Sequence, residues 1–265
     1  MFTAEMVFRA AKGKGRTIGI GSLEGSESVR TSMALAEATG YGHPVAYFDA
    51  VSLVEDLRDG KVDAAVRGDL DSKEAMAAIK SVFGLKKIMR MALLQPRGEG
   101  IFFLAPVGVD EGETVAEKIE LARRGAAFIS RMGVEVRIGV MSGGRNTDRG
   151  RSKIVDKTID EADEMVLKLK EDGLDAEDVQ ILIEDAVKNK TIVIAPDGIS
   201  GNLIFRCIHL VDGGRSMGAP VLNLDKVFID TSRAKGSYVD SIALASALSA
   251  NAIHPHKGHP GNIKR

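Results

Sequence analysis

Four polar, glycine-rich stretches each follow a short apolar run, and each holds residue types that could do chemistry. The most cationic is Met141-Ser142-Gly143-Gly144-Arg145-Asn146-Thr147-Asp148-Arg149-Gly150-Arg151-Ser152-Lys153, with three arginines and one lysine. Guanidinium forks suit phosphate or carboxylate, and paired glycines let backbone amides converge. Ser142, Gly143, Gly144 and Arg145 are therefore candidate anion ligands, against the plainer reading of a solvated loop. The segment Ala195-Pro196-Asp197-Gly198-Ile199-Ser200-Gly201-Asn202 runs into a helical pattern. Its glycines allow close backbone approach, Asn202 both donates and accepts, and a helix start adds partial positive charge. Asp197, Gly201 and Asn202 are candidate ligand contacts, with capping by Ser200 or Asn202 as the alternative.

The stretch from Asp230 to Ser241 supplies a hydroxyl and a fixed cation at Ser232-Arg233, then a possible base at Asp240. The loop Gly19-Ile20-Gly21-Ser22-Leu23-Glu24-Gly25 has the look of a phosphate loop. It departs from the dinucleotide fingerprint at Glu24, and a tight turn explains it equally well. Two further features carry less weight. His254, His256 and His259 lack a Cys or acidic partner, so they read as part of a mobile polar tail rather than a metal site. Cys207 follows Phe205 inside a helical pattern and reads as a small buried residue.

The positioning elements can be read from periodicity. Strands are expected over Thr17–Ile20, Pro44–Phe48, Val62–Arg67, Lys87–Leu94, Ile101–Ala105, Glu135–Met141, Val179–Ile183, Thr191–Ala195 and Val227–Ile229. The Gln95-Pro96-Arg97-Gly98 turn should join two of them as a hairpin. Helices are expected from Ser26 to Gly40, after Ser52, over Ser72–Ser81, after Thr114, after Thr158, over Ser200–Val211 and over Tyr238–Ala250. Ser52/Glu55, Thr114/Glu117 and Thr158/Glu161 all have capping-box spacing. Strands alternating with helices mean βαβ units and a largely parallel sheet. About ten strands are more than one doubly wound sheet usually holds, which points to two α/β lobes.

Composition narrows the function. The 265 residues are 44% hydrophobic and 28% charged, with 36 Lys+Arg against 37 Asp+Glu. A net charge of −1 argues against a nucleic-acid coat, and the absence of Trp argues against stacking platforms. A single cysteine excludes an internal disulfide and points to a reducing cytoplasm. The N-terminal residues hold no apolar run long enough for a signal peptide, and no stretch approaches a membrane span. A small anionic molecule is thus the expected partner, with neither nucleic acid nor membrane nor metal.

The chain also carries a family resemblance. Ala195-Pro196-Asp197-Gly198-Ile199-Ser200-Gly201-Asn202-Leu203, Gly218-Ala219-Pro220-Val221 and Thr231-Ser232-Arg233 together resemble the phosphate acetyl/butyryltransferase superfamily. Asp63–Gly68, Gly100–Pro106 and Val136–Ser142 extend the likeness upstream. Within it, Met141–Arg145 and Ala195–Asn202 are most similar to a branch called methanogenesis marker protein 4, whose family label is methyltransferase. The resemblance implies two three-layer α/β/α lobes with largely parallel sheets, as in phosphate acetyltransferase and isocitrate dehydrogenase, around an interlobe cleft. It implies a discontinuous first lobe, 1–108 plus 222–265, a second lobe, 109–221, and a homodimer. Its chemistry is acyl transfer between phosphate and coenzyme A, with Ser232 and Arg233 holding the acyl phosphate. The superfamily's catalytic Asp lies seven residues beyond that Ser, where this chain has Val239; one inserted residue would bring Asp240 there, and two would bring Ser241. Two rivals to acyl transfer remain, methyl transfer and ligand binding without catalysis.

Overall fold

The structure, a computed structural model, describes residues 2–250. Its strands are β1 (Thr17–Gly21), β2 (His43–Tyr47), β3 (Ala64–Val66), β4 (Ala92–Gln95), β5 (Phe102–Ala105), β6 (Ile138–Met141), β7 (Ala176–Gln180), β8 (Ile192–Ile194), β9 (Arg215–Pro220) and β10 (Val227–Asp230). They form one sheet of order β2-β1-β3-β10-β9-β4-β5-β8-β6-β7. Two parallel arrays stand out, β2-β1-β3-β10 and β5-β8-β6-β7. The antiparallel strands β9 and β4 join them edge to edge. The expected α/β class with a mostly parallel sheet is what the chain adopts.

Burial alternates along the strands as a doubly covered sheet requires. Ala64, Val66, Met91, Leu93 and Phe103 join one core, while Ala65, Phe228, Ala92, Leu94, Phe102 and Leu104 join the cores of the opposite face. The helices are α1 (Ala4–Ala11), α2 (Glu27–Ala38), α3 (Ala50–Arg58), α4 (Ser72–Phe83), α5 (Val115–Arg131), α6 (Lys153–Glu171), α7 (Ile183–Asn189), α8 (Gly198–Arg206) and α9 (Val239–Ala250). α9 is apolar all round and packs against α1, α2, β1, β3, β9 and β10. β10 pairs in parallel with β3. Residues 227–230 are therefore built into the same array as β1, β2 and β3, and α9 packs on it.

Several boundaries differ from the sequence reading. β9 was not anticipated, because Arg215-Ser216-Met217-Gly218-Ala219-Pro220 has weak strand propensity. Pairing with both β4 and β10 imposes its extended form, and Pro220, at its end, contributes a carbonyl to the Met91 amide at 3.3 Å. α1 was also missed, although Ala4, Val7 and Ala11 have helical spacing and are buried. β7 ends at Gln180, whose φ of 55° breaks the strand, so Ile183 opens α7 instead of closing β7. The α3 cap is Asp49, which accepts from the Ser52 amide at 2.8 Å, rather than Ser52. α6 begins at Lys153, so Thr158 lies inside the helix rather than capping it. At α5 the expected box is present: Thr114 accepts from the Glu117 amide at 3.2 Å. Cys207 is exposed rather than buried, since α8 ends at Arg206 and the chain continues as a π-helical turn, Cys207–Val211. His254, His256 and His259 lie outside the described residues.

Candidate functional site

The sheet register brings the carboxyl ends of the two arrays together. Asp230 stands opposite Ala219, Leu93 opposite Gly218, and Ala92 opposite Leu104. The end of β10 thus reaches the level of the end of β5, although the two strands run in opposite directions. In parallel α/β sheets this is where ligands bind. A cavity of about 840 Å³ occupies the junction. Its walls come from the segments after β3, β5 and β10, from the first turns of α4, and from α8.

A buried chain of charges forms the floor. The Asp230 carboxylate accepts from Arg67 Nε at 2.5 Å, Arg90 Nη1 at 2.7 Å and its neighbouring Thr231 amide at 2.9 Å. Arg90 Nε donates to Glu111 Oε1 at 2.6 Å, and Glu111 Oε2 accepts from the Gly108 amide at 3.2 Å. Arg67 Nη1 also donates to the Leu70 carbonyl at 2.5 Å. All four charged residues are buried. Burial opposes ionisation of Asp230, but the Arg90 and Arg67 guanidiniums outweigh it and hold the carboxyl below the usual range. Burial likewise works against the Arg90 charge, and Asp230 and Glu111 override it, so Arg90 stays a fixed cation.

Glycines make this packing possible. A Cβ on Gly108 would overlap Arg90 Nη2, and a Cβ on Gly201 or Gly198 would overlap the carbonyl of Pro106 or Gly108 respectively. The loop after β5 is thereby seated on α8, and Asn202 Nδ2 ties it down by donating to the Val107 carbonyl at 2.8 Å. Arg67, Arg90, Lys73, Lys80, Arg206 and Arg233 all line the cavity, against the carboxylates of Asp110 and Asp230. Met76, Val107, Val109 and Phe205 add an apolar wall. The arrangement is suited to an anion attached to a less polar body.

Of the residues proposed from sequence, Ser232, Arg233 and Asn202 line this cavity. Arg233 Nη2 also pairs with Asp71, the α4 cap, at 3.1 Å. Asp197 caps α8, accepting from the Ser200 amide at 2.7 Å, and Gly201 serves close packing rather than ligand contact. The Ser142–Arg145 loop lines neither this cavity nor the second one described below. Three of its donors bond within the protein: the Gly143 amide donates to Thr158 Oγ1 at 2.8 Å, the Arg145 amide to Asp148 Oδ2 at 2.9 Å, and Ser142 Oγ to the Gly144 carbonyl at 2.9 Å.

Asp240 does not approach Arg233. It faces Arg215, whose Nε is 3.3 Å from Asp240 Oδ2, and it lines a different cavity. The cause lies in the residues between them. Lys235 turns inward and donates to the Ser216 carbonyl at 2.5 Å and to Ser241 Oγ at 3.0 Å, and Tyr238 is fully buried. These anchors fix the start of α9, directing Asp240 toward β9 and burying Ser241.

Sequence reading passed over Arg67, Arg90, Glu111 and Asp230 as a cluster. A signal was present at Arg90, the one charge among the apolar residues Ile88 to Leu94, since a charge in such a run is buried only when paired.

Comparison with known proteins agrees with this architecture. No family profile matches the chain. A Methanosarcina barkeri protein named "Putative methyltransferase mtx subunit X" is 48% identical over 198 residues, covering 75% of this chain and 73% of that protein. A Methanocaldococcus jannaschii protein named as an uncharacterized methyltransferase is 41% identical over 189 residues, covering 68% and 76%. Among solved structures, a branched-chain phosphotransacylase from Enterococcus faecalis superposes with a TM-score of 0.71 at 14% identity, covering 88% of this chain and 99% of that one. The EutD phosphotransacetylase from Staphylococcus aureus gives 0.66 at 16% identity, covering 94% and 98%. The fold is that of the phosphotransacetylases, and by its sequence the chain belongs to the mtx subunit X family of methanogens' proteins named as methyltransferases.

Proposed function

We propose that the chain is a group transferase of the phosphate-acyltransferase type, which binds a phosphate-bearing small molecule such as coenzyme A or an acyl phosphate in the 840 Å³ cavity. The observation behind this is the convergence of Ser232 and Arg233 with Arg67, Arg90, Lys73 and Arg206 on one apolar-walled space. Arg233, Lys73, Lys80 and Arg206 meet the anion, while the Arg67–Asp230–Arg90–Glu111 chain, whose charges balance one another, fixes a rigid polar floor beneath them. Ser232 supplies a hydroxyl beside that floor. Asp240 takes no part in this reading, because it lies on the other side of the segment that presents Ser232 and Arg233. Methyl transfer is the second reading, favoured by the name the relatives carry.

The test is a thermal-shift panel of coenzyme A, acetyl phosphate, inorganic phosphate and S-adenosylmethionine, since a ligand of the native state raises the melting temperature by mass action. Stabilisation by coenzyme A or acetyl phosphate supports acyl-type chemistry. Stabilisation by S-adenosylmethionine alone supports methyl transfer.

A further inference from the structure

A second cavity, of about 530 Å³, lies behind the wall of the first. The chain segment 231–237 separates them: Thr231 to Ala234 face the first cavity, and Lys235 to Ser237 the second. β9 does the same, with Gly218 and Ala219 lining the first and Arg215 and Ser216 the second.

Lys235 is the unusual residue here. It is only 9% exposed, and no carboxylate among the described residues lies within ion-pair distance of it. Its ammonium is held by one carbonyl and one hydroxyl, Ser216 and Ser241, which leaves a third N–H. A buried ammonium without a counter-ion is costly, and such a group normally pairs or loses its proton. Burial does push Lys235 down, to about 8, so it changes charge just above neutral pH.

The charged groups around it are accounted for. Asp240, on α9, and Glu5, on α1, both reach Arg215, at 3.3 and 4.0 Å, and Arg215 also stacks 5.4 Å over the Phe8 ring. His209 is driven toward its neutral form by burial, and its Nδ1 lies 2.9 Å from the Gly214 carbonyl. Arg97, in the β4–β5 turn, lines the cavity and has no ion-pair partner among the described residues. Glu5 and Asp240 line the same space but are engaged by Arg215, which leaves Lys235 and Arg97 as cations without an ion-pair partner among the described residues.

We propose that this second cavity binds a small oxyanion, either a carboxylate or a tetrahedral oxyanion of the phosphate type, as the counter-ion of Lys235. The bound anion keeps Lys235 protonated and rests against the segment that presents Ser232 and Arg233 on its other side. It is therefore a site for an effector or second substrate separate from the ligand of the first cavity.

The test is calorimetric titration of the full chain carrying Arg233→Ala, which weakens anion binding in the first cavity. Sulfate and acetate serve as probes, since the charge of each is constant from pH 7 to pH 9 and they distinguish the two oxyanion sources. One of them should bind, about tenfold more weakly at pH 9 than at pH 7 because Lys235 loses its proton across that range. Lys235→Met should lower affinity at least tenfold, and Asp240→Asn should raise it severalfold by removing a repelling charge. Should Lys235→Met fail to fold, Arg97→Ala should still weaken binding severalfold. Failure of both probes to bind overturns the proposal, as does binding insensitive to pH and to Arg97→Ala, or binding that Asp240→Asn leaves unchanged.

Discussion

Arg90 Nη1 lies 2.7 Å from Asp230 Oδ2, across 140 residues of chain. Through this contact the segment leading into β4 meets the end of β10, and the bonds of Arg67 to Asp230 and of Arg90 to Glu111 extend the tie to the segments after β3 and β5. Such buried pairs contribute little net stability when intact, yet losing one partner is costly because the other charge is stranded.

Asp230→Asn should therefore destabilise the fold by about 3–5 kcal/mol, read from the midpoint of a guanidinium denaturation curve. The pH dependence has a definite sign. The folded carboxyl is held below its unfolded value, so the stabilisation is complete above about pH 4 and is lost as pH falls through the lowered folded value. The stability gap between the native sequence and Asp230→Asn should shrink on acidification below pH 4 and stay constant above it.

Lys235 should show the opposite window. Its folded value, about 8, lies below the ordinary 10.5, so the folded state binds fewer protons than the unfolded chain between those limits. Native stability relative to Lys235→Met should rise with pH from about 8 to about 10.5. Thermal melts of both proteins across that range check it, and a gap that stays flat would refute the buried, uncompensated lysine.

Gly201→Ala places a methyl against the Pro106 carbonyl, which is backbone and cannot swing aside, with the Ala195 Cβ also close. The loop after β5 and α8 must then separate, costing about 1–3 kcal/mol and weakening ligand binding, because Val107 and Asn202 wall the cavity. Gly150→Ala is the control: nothing lies within 4 Å of its Cβ position, and only its positive φ of 86° is strained. It should cost about 1 kcal/mol and leave binding intact.

How legible was this in the sequence? The alternation of strands and helices, the hairpin at Gln95–Gly98 and the caps at Ser26 and Thr114 follow from local rules that the structure obeys. β9 was hidden because Gly218 and Pro220 suppress strand propensity, and only its two neighbours make it a strand. Some of the residues that line the first cavity were legible and others were not. Ser232 and Arg233, just beyond β10, and Asn202, in the helix that follows β8, were singled out by their place after apolar runs, and the structure lines the cavity with all three. The Ser142–Arg145 loop lines neither cavity; in a sequence, donors and glycines look the same whether they await a ligand or bond to the loop and its neighbouring helix. Asp240 lines the second cavity rather than lying beside Arg233: seven residues allow it to reach, but the inward turn of Lys235 sets the helix phase, and no local pattern encodes that turn.

The measurement that tests the central claim most directly is calorimetric titration of coenzyme A and acetyl phosphate into the native chain, Arg233→Ala and Asp240→Asn. Arg233 is largely solvent-facing and its pair with Asp71 is worth under about 1 kcal/mol, so its removal should leave the fold intact. The account predicts saturable binding of at least one of the two ligands to the native chain. It predicts at least about tenfold weaker binding to Arg233→Ala, the loss expected for one charge-assisted contact, and near-native affinity for Asp240→Asn. Binding that survives Arg233→Ala unchanged but is lost in Asp240→Asn, or no binding of either ligand to the native chain, would contradict it.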